Sequence, residues 1–256
     1  MAEKKKEKTD GPNRVFQVAR IVVWMAVFAG VAFGAKEMEM FLQRDPRFGL
    51  SGLEIHGAQY SNRTRLQAVF APDYGRSVFQ IPLAERRRHL LAVDWVRTAS
   101  VTRVWPNRIV VTVTERSPVA FAKLPIAGSV RHWMALIDSE GVLLAIPPRV
   151  RFRLPVISGI TEEQTDEERR VRIEGAEHLL SDLGPQAKDI SEINMASTQE
   201  LRVTADVEGQ GVELWLGDQH FRSRYQNFLS HYGEIRKHSE RASVFDLRLD
   251  DRISTR

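Results

Sequence analysis

Hydrophobic side chains fall along this chain in three rhythms, each predicting a different kind of element. From Val15 to Ala35 they are nearly continuous, and Ile21 to Ala35 contains no charged or strongly polar residue. A bilayer requires about 20 residues of helix, so that inner run is short by itself. Extending it back to Val15 supplies the length and includes Gln17 and Arg20. Arg20 then lies about one turn inside the end, where its long stem can snorkel to the headgroups. The pattern predicts a transmembrane helix over 15–35, between a polar tail, 1–14, and a linker, 36–47.

Over about 48–117 the apolar positions alternate between two periods. Leu53 and Ile55 alternate as on a strand and His56-Gly57 marks a turn. Ser61 or Asn62 can cap a short helix through Val69, and Pro82 suits the first turn of a second helix. That helix offers Leu83, Leu90, Leu91 and Val93 as apolar positions, with Glu85 to Arg88 on a solvated face. Val96 to Trp105 alternates loosely, Trp105-Pro106-Asn107-Arg108 reads as a turn with an aromatic lid over the sheet, and Ile109, Val111 and Val113 form a second strand. The order strand, helix, helix, strand, strand predicts a small three-stranded sheet covered by two helices.

From about 118 to 250 the short strands multiply. Val119 to Leu124, Met134 to Ile137 and Val142 to Ile146 read as strands, the last two separated by the turn Asp138-Ser139-Glu140-Gly141. Thr161 or Thr165 can cap a helix, with Gln164 or Glu168 completing the box. Ala176, Leu179, Leu180 and Leu183 make its apolar stripe, and Gly184-Pro185 stops it. Ile190, Ile193 and Met195 suggest a strand, and Glu200 to Ala205 with Gly211 to Leu216 a hairpin. Phe221, Tyr225, Phe228, Tyr232 and Ile235 line one face of a second helix, a stripe expected in the core. Val244 to Leu249 closes the domain as a strand, leaving a tail, 251–256. The fold class is α+β: one transmembrane helix, a β-α-α-β-β domain, then a larger β-rich domain with two helices.

Charge orients the anchor. Lys4, Lys5, Lys6, Lys8 and Arg14 precede the apolar run, which places 1–14 in the cytoplasm and the body of the chain outside. A basic segment, a short apolar core and small residues at Ala29, Gly30, Ala32, Gly34 and Ala35 also fit a secretory signal peptide, and a buried core helix is the third reading. The net charge of +4 comes from 37 basic and 33 acidic residues spread along the chain, which leaves no nucleic-acid footprint. There are no cysteines, so disulfides, thiolate metal sites and cysteine nucleophiles are excluded.

No catalytic constellation emerges. The seven histidines include no H-E-x-x-H spacing, and His231 and His238, beside Lys237 and Arg241, are expected to be exposed. Gly49-Leu50-Ser51-Gly52 lacks the spacing of a nucleophile elbow. The acidic run Glu162, Glu163, Asp166, Glu167, Glu168 sits at a helix start, where carboxylates suit the helix dipole. No catalytic, metal-binding or cofactor-binding residue is assigned.

Several stretches are more specific. Arg103-Val104-Trp105-Pro106-Asn107 and Val113-Thr114-Glu115-Arg116-Ser117-Pro118 resemble the "R-x-W-P-N" hairpin and "V-x-E-R-x-P" exit of a POTRA (polypeptide-transport-associated) domain of the FtsQ/DivIB type. Leu53 to Gly57 is similar to that domain's "V-x-G" opening strand. Ile137-Asp138 through Leu144 resembles the family's "I-D-x-x-G-x-x-L", Leu154 to Gly159 its "L-P-x-I-x-G", and Trp215-Leu216-Gly217 its "V-x-L-G". Ser243 to Arg252 looks like its closing "D-L-R-Y" strand, with Leu249 where an aromatic residue is frequent. In bottom-up terms Glu115-Arg116 is a surface ion pair worth under about 1 kcal/mol.

The resemblance implies a non-enzymatic scaffold of bacterial division, held in the inner membrane with its body in the periplasm at the septum. It implies FtsB/DivIC and FtsL as partners, other divisome membrane proteins at the POTRA domain and transmembrane helix, and no cofactor, nucleic acid or small-molecule substrate. It points to Val244, Phe245, Asp246, Leu247, Arg248 and Leu249 as the partner-binding strand, an edge suited to β-augmentation; the competing reading is an internal strand. A POTRA protein feeding an outer-membrane barrel is the alternative, but no long run of alternating strands follows. A secreted binding protein or an enzyme with an unfamiliar site remains a further class.

Overall fold

The computed structural model describes residues 13–197, 199–239, 242–249 and 252–255. The cytoplasmic assignment of 1–14 therefore lies almost wholly outside the described residues. The chain divides into two compact units. One gathers the chain up to Ala58 with Asn62–Val93 and Thr98–Thr114; the other takes Gln59–Ser61, Asp94–Arg97 and everything from Glu115.

The first unit begins with helix α1, Asn13–Arg44. Ala19–Arg44 is long and apolar enough to cross a membrane, and none of its best window is buried. The helix does not stop at Ala35: the expected linker is helical as far as Arg44. The reason is local. Lys36 to Arg44 holds good helix formers and no glycine, and the first residue that restricts its predecessor away from helix is Pro46. Asp45 then caps a 3-10 turn, Pro46–Phe48, its side chain accepting from the Arg47 N–H at 2.9 Å. Ser77 Oγ donates to the Leu42 carbonyl at 2.7 Å, satisfying one of the acceptors that a helix C-terminus leaves free.

Strand β1 (Gly52–His56), helices α2 (Arg63–Ala68) and α3 (Leu83–Leu91), and strands β2 (Val96–Val104) and β3 (Arg108–Glu115) follow in the expected order. The sheet runs β1-β3-β2, with β1 parallel to β3 through Leu53↔Ile109 and Ile55↔Val111. Ile109, Val111 and Val113 are buried, as are Leu66, Phe70 and Leu90. Asn62, not Ser61, caps α2, accepting from the Arg65 N–H. Gly57 has φ +81, and a Cβ there would sit 2.1 Å from the Val113 carbonyl oxygen, so that turn admits only glycine.

Two expectations fail in this unit. Trp105 is no lid: it is 60% exposed and touches Phe79 and Phe48, at centroid distances of 4.7 and 6.3 Å. Arg86 does not sit on a solvated face. It is buried with Asp73, donating from Nε to Oδ2 at 2.5 Å and from Nη2 to Oδ1 at 3.0 Å. The Asp73 hydrogen bond, against the cost of burial, holds the Arg86 guanidinium above its ordinary pKa. An arginine within a Glu-Arg-Arg-Arg run looks solvated until the aspartate thirteen residues upstream is brought beneath it.

The second unit is built on a nine-stranded sheet, ordered β12-β11-β10-β9-β8-β7-β4-β5-β6. In chain order these are β4 (Pro118–Pro125), β5 (His132–Asp138), β6 (Leu143–Leu144), β7 (Val156–Ser158), β8 (Ile190–Asn194), β9 (Leu201–Val207), β10 (Gln210–Gly217), β11 (Val244–Asp246) and β12 (Ser254–Thr255). Helices α4 (Asp166–Leu183) and α5 (Phe221–His238) share the sheet's hydrophobic core. The expected strand from Val142 to Ile146 shrinks to two residues. Phe221, Tyr225, Phe228 and Tyr232 are buried in the core as their spacing predicts, with Ile235 packed against it. Thr165 and Glu168 form the capping box of α4, while Gln164 turns back to the Thr161 N–H.

Glu115 and Arg116 are not an ion pair with each other. Glu115 Oε1 accepts from the backbone N–H groups of Gln59, Tyr60 and Ser61 at 2.9, 2.9 and 2.6 Å and from Ser61 Oγ at 2.6 Å. This is a carboxylate seated in a concavity of successive amides. Arg116 Nη1 instead donates to Asp138 at 2.6 Å and Glu140 at 2.7 Å. Buried Asp138 accepts through Oδ1 from the Glu140 and Val142 amides, tying off its own turn. Arg169, also buried, donates to the carbonyls of Gly141, Thr161, Glu162 and Gln164, so the same turn is pinned to the start of α4.

Two outcomes follow from these charges, one buried and one half-buried. Asp73→Ala leaves the buried Arg86 guanidinium only the exposed Glu85 carboxylate, 3.1 Å from Nη1, and is expected to cost about 3 kcal/mol, the low end for a broken buried pair. Pairing Asp73→Leu with Arg86→Met should recover most of that loss; hydrogen exchange of the β3 amides reads both, and a cost under about 1 kcal/mol for the single change would refute the assignment. For Glu115, burial pushes the pKa up, but hydrogen bonds from the Ser61 side chain and from the Ser61, Tyr60 and Gln59 amides outweigh it and leave the pKa lowered. A lowered folded-state pKa adds stability above the unfolded value of about 4.3, and that stability is lost as pH falls through the folded value. Glu115→Gln should therefore lower the urea midpoint at pH 7, with the gap to wild type closing as pH falls below the unfolded carboxylate value. A gap independent of pH would show that the charge contributes nothing.

Candidate partner-binding edge

The far end of the nine-stranded sheet is where the candidate residues fall. Strand β11 runs parallel to β10, pairing Glu213↔Val244, Leu214↔Phe245 and Trp215↔Asp246. The Glu213 N–H donates to the Ser243 carbonyl at 2.7 Å, and the Leu247 N–H to the Trp215 carbonyl at 2.9 Å. Residues 243 and 247 thus point their backbone groups at β10, and by the two-residue period Val244 and Asp246 point theirs the other way. Among the described residues, that outer side is covered by β12 alone, two residues long and antiparallel through Phe245↔Thr255 and Asp246↔Ser254. Ser254 and Thr255 belong to what the sequence suggested was a tail; Asp250, Asp251 and Arg256 lie outside the described residues.

Side chains of the candidate strand separate by face. Phe245 and Leu247 are buried. The Phe245 ring meets Phe228 at 4.9 Å and Tyr232 at 6.2 Å between centroids, so these two candidates anchor the strand on α5. Tyr225 lies in the same core, where burial, with Asp189 and Asp206, pushes its phenol up to about 12. Val244, Asp246 and Arg248 are half-buried on the opposite face, and Leu249 is 54% exposed.

The opposite face carries an aromatic and charged layer that the sequence did not single out. Arg248 donates to Asp246 from Nε at 2.9 Å and from Nη2 at 2.7 Å, and reaches Glu200 from Nη1 at 2.9 Å. Asp246, against the cost of burial, keeps the guanidinium above its ordinary pKa. The guanidiniums of Arg202 and Arg248 lie 3.9 and 5.1 Å from the Trp215 ring centroid, a cation–π arrangement. Trp215 Nε1 donates to Glu213 at 2.7 Å. The alternation of polar residues on β9 and β10 was the available signal, but which of them meet depends on register across three strands.

Leu249 lies between two hollows. One, of about 390 Å³, is lined by His220, Ser223, Arg224, Asn227, Leu247 and Ile253 as well as Leu249. The other, of about 320 Å³, has Asp246, Arg248, Arg252 and Ser254. Buried Arg224 donates to the Leu216 carbonyl at 2.6 Å, and a Cβ on Gly217 would come within 2.9 Å of its Nη1. The Leu216-Gly217 pair thus holds Arg224, which lines the first hollow. Both hollows are open, the first mainly polar and the second mixed, and suit a protein surface better than an enclosed small molecule. His231 and His238 are exposed on α5. Among the described residues, no three His, Cys, Asp or Glu side chains converge as a metal site.

Comparison with known proteins gives this geometry its context. Residues 48–116 match the family model of the POTRA domain, FtsQ-type. The chain is 32% identical to the cell division protein FtsQ of Koribacter versatilis over 250 residues, covering 94% of this chain and 70% of that protein. It is 29% identical to the cell division protein FtsQ of Novosphingobium aromaticivorans, over 94% of this chain and 72% of the relative. A third, the cell division protein FtsQ of Myxococcus fulvus, is 29% identical over 73% of this chain and 66% of its own length. With the β-α-α-β-β unit at the matched residues and similarity extending through the nine-stranded unit, the chain belongs to the FtsQ family of cell division proteins.

Proposed function

We propose that this protein is a non-catalytic, single-pass scaffold of the divisome that captures FtsB/DivIC, and with it FtsL, by β-augmentation at the segment Val244–Leu249, of which only Val244–Asp246 is strand and not the whole expected run to Leu249. Helix α1 crosses the inner membrane with the basic N-terminus in the cytoplasm, following the positive-inside rule. The two folded units then stand in the periplasm at the septum. The POTRA unit, bounded at about 48–117, and the transmembrane helix meet other division proteins, and the β domain, at about 118–250, meets FtsB.

The observation that carries this reading is the thin cover on β11. Its outward backbone groups face a two-residue strand, and a short pairing of that kind is readily displaced or extended by a longer strand. Phe245 and Leu247 hold the strand from behind, so the partner reads the backbone and the side chains of Val244, Asp246, Arg248 and Leu249. An incoming strand either replaces Ser254-Thr255 or lies beside them. In both cases Leu249 and its two hollows receive the partner's side chains.

The test is binding of the full chain, in nanodiscs, to the periplasmic segments of its own FtsB- and FtsL-like proteins. Val244→Pro removes one outward N–H while leaving Phe245 and Leu247 in the core, and is expected to weaken binding at least tenfold, equivalent to about 1.4 kcal/mol. Unchanged affinity in a folded Val244→Pro chain would move the contact off this edge. No binding by the unaltered chain would remove the proposed partner altogether.

A further inference from the structure

We propose a second membrane contact: the aromatic cluster of Phe41, Phe48, Phe79 and Trp105 beds into the lipid headgroup layer from which α1 emerges, and seats the POTRA unit on the bilayer surface. This rests on the reading of α1 as a membrane-spanning helix and goes beyond it, because a span alone leaves the folded unit free to stand off.

The cluster is continuous with the helix. Phe41, in the last turn of α1, meets Phe48 edge-on at 6.2 Å, Phe48 meets Phe79 at 5.5 Å, and Phe79 meets Trp105 at 4.7 Å. These rings remain accessible: Trp105 is 60% exposed and Phe41 49%, with Phe48 and Phe79 half-buried. The helix end is fastened to the unit by the Ser77 hydroxyl on the Leu42 carbonyl and by Gln80 on Gln43. The rings therefore move with α1.

Depth follows from helix geometry. Met25 is the midpoint of the span Val15 to Ala35. Phe41 lies roughly 24 Å further along the axis at about 1.5 Å per residue. Half a bilayer including its headgroups is about 20–22 Å, and an ordinary tilt of about 20° shortens the reach by roughly 1.5 Å. Phe41 is thus placed at the outer boundary of the headgroup layer, and the rings linked to it extend from that boundary. Aromatic rings, tryptophan above all, favour that boundary, where one end is apolar and the other wet.

Charge beside the cluster is arranged to match. Arg47 pairs with Asp45 and Arg76 with Asp73, yet the two arginine side chains are 75% and 48% exposed, while the carboxylates are 13% and 0% exposed. The surface there presents guanidinium, with the compensating anions behind it. Exposed Arg44 adds a third cation, with the exposed carboxylates of Glu37 and Glu39 about one to two turns earlier on α1. Forked guanidiniums suit lipid phosphate, and each basic group near an anionic surface contributes attraction.

The experiment exploits the absence of native cysteine. Single cysteines at Asn107, in the Trp105 turn, and at Ala29, within the span, are spin-labelled separately in the full chain. Each is reconstituted into phosphatidylethanolamine–phosphatidylglycerol vesicles, and depth is read from the ratio of oxygen to nickel-complex accessibility. The Ala29 label is expected to read deep. The Asn107 label is expected to read several-fold above a freely soluble nitroxide, falling back to the soluble value when Phe79→Ser and Trp105→Ser are added. A deep Ala29 label with an Asn107 label reading as soluble overturns the surface contact and leaves the anchor intact. An Asn107 label that stays at headgroup depth after the two ring removals overturns the role of the cluster. An Ala29 label reading as soluble overturns the membrane span itself, and this inference with it.

Discussion

A β-sheet that does not close on itself ends in a row of amide and carbonyl groups requiring partners, and most of the second unit is arranged around that requirement. Eight of the nine strands stack outward from β6 to β11, and the ninth supplies only Ser254 and Thr255. Water can satisfy what remains at an exposed edge, so the short cover costs this unit little by itself. It leaves the edge geometrically defined, because β11 is clamped by Phe245 against Phe228 and Tyr232. A rigid strand with a lightly held outer side is a better template than a mobile one, since its ordering entropy has already been met by the fold.

The remaining constraints are buried and half-buried charges that tie down turns and helix starts. Glu115 gathers three amides before α2, Asp138 ties its own turn, Arg169 collects carbonyls at the start of α4, and Arg86 neutralises Asp73. Each satisfies backbone groups or an opposite charge that burial would otherwise leave costly. Together they explain why the polar letters of the "V-x-E-R-x-P" and "I-D-x-x-G" stretches belong to the fold. Arg116 bonding to Asp138 links those two stretches directly.

Much of this was legible beforehand, and the boundary is physical. Element order, the aromatic stripe of α5, the Thr165 capping box and the Gly57 turn depend on residues close in sequence, and all appear in the structure. What escaped depends on distance. Arg86 reads as solvated until Asp73 lies beneath it, and Glu115 reads as a partner for its neighbour until the Gln59–Ser61 turn closes over it. The continuation of α1 to Arg44 is hidden for another reason: loss of hydrophobicity at Lys36 marks the end of the apolar run and not of the helix, because charged residues such as lysine and glutamate sustain a helix in water. At the candidate edge the strand's existence was legible, but the layer of Arg202, Trp215 and Arg248 was not, because it is assembled by register across β9, β10 and β11.

Register also determines what the edge can discriminate. With Phe245 and Leu247 committed to the core, a one-residue slip of β11 would bury Asp246 and Arg248 and expose two large apolar side chains. The strand is therefore held in one alignment by the core behind it, and its outward face is fixed without any help from a partner. Backbone pairing is blind to sequence, so selectivity at such an edge must come from the side chains that flank it. Here those are the Asp246–Arg248–Glu200 network and the exposed Leu249 between its two hollows. In the proposed contact, affinity and selectivity would thus reside in different atoms of the same short segment, and substitutions in the strand would change one while leaving the other in place.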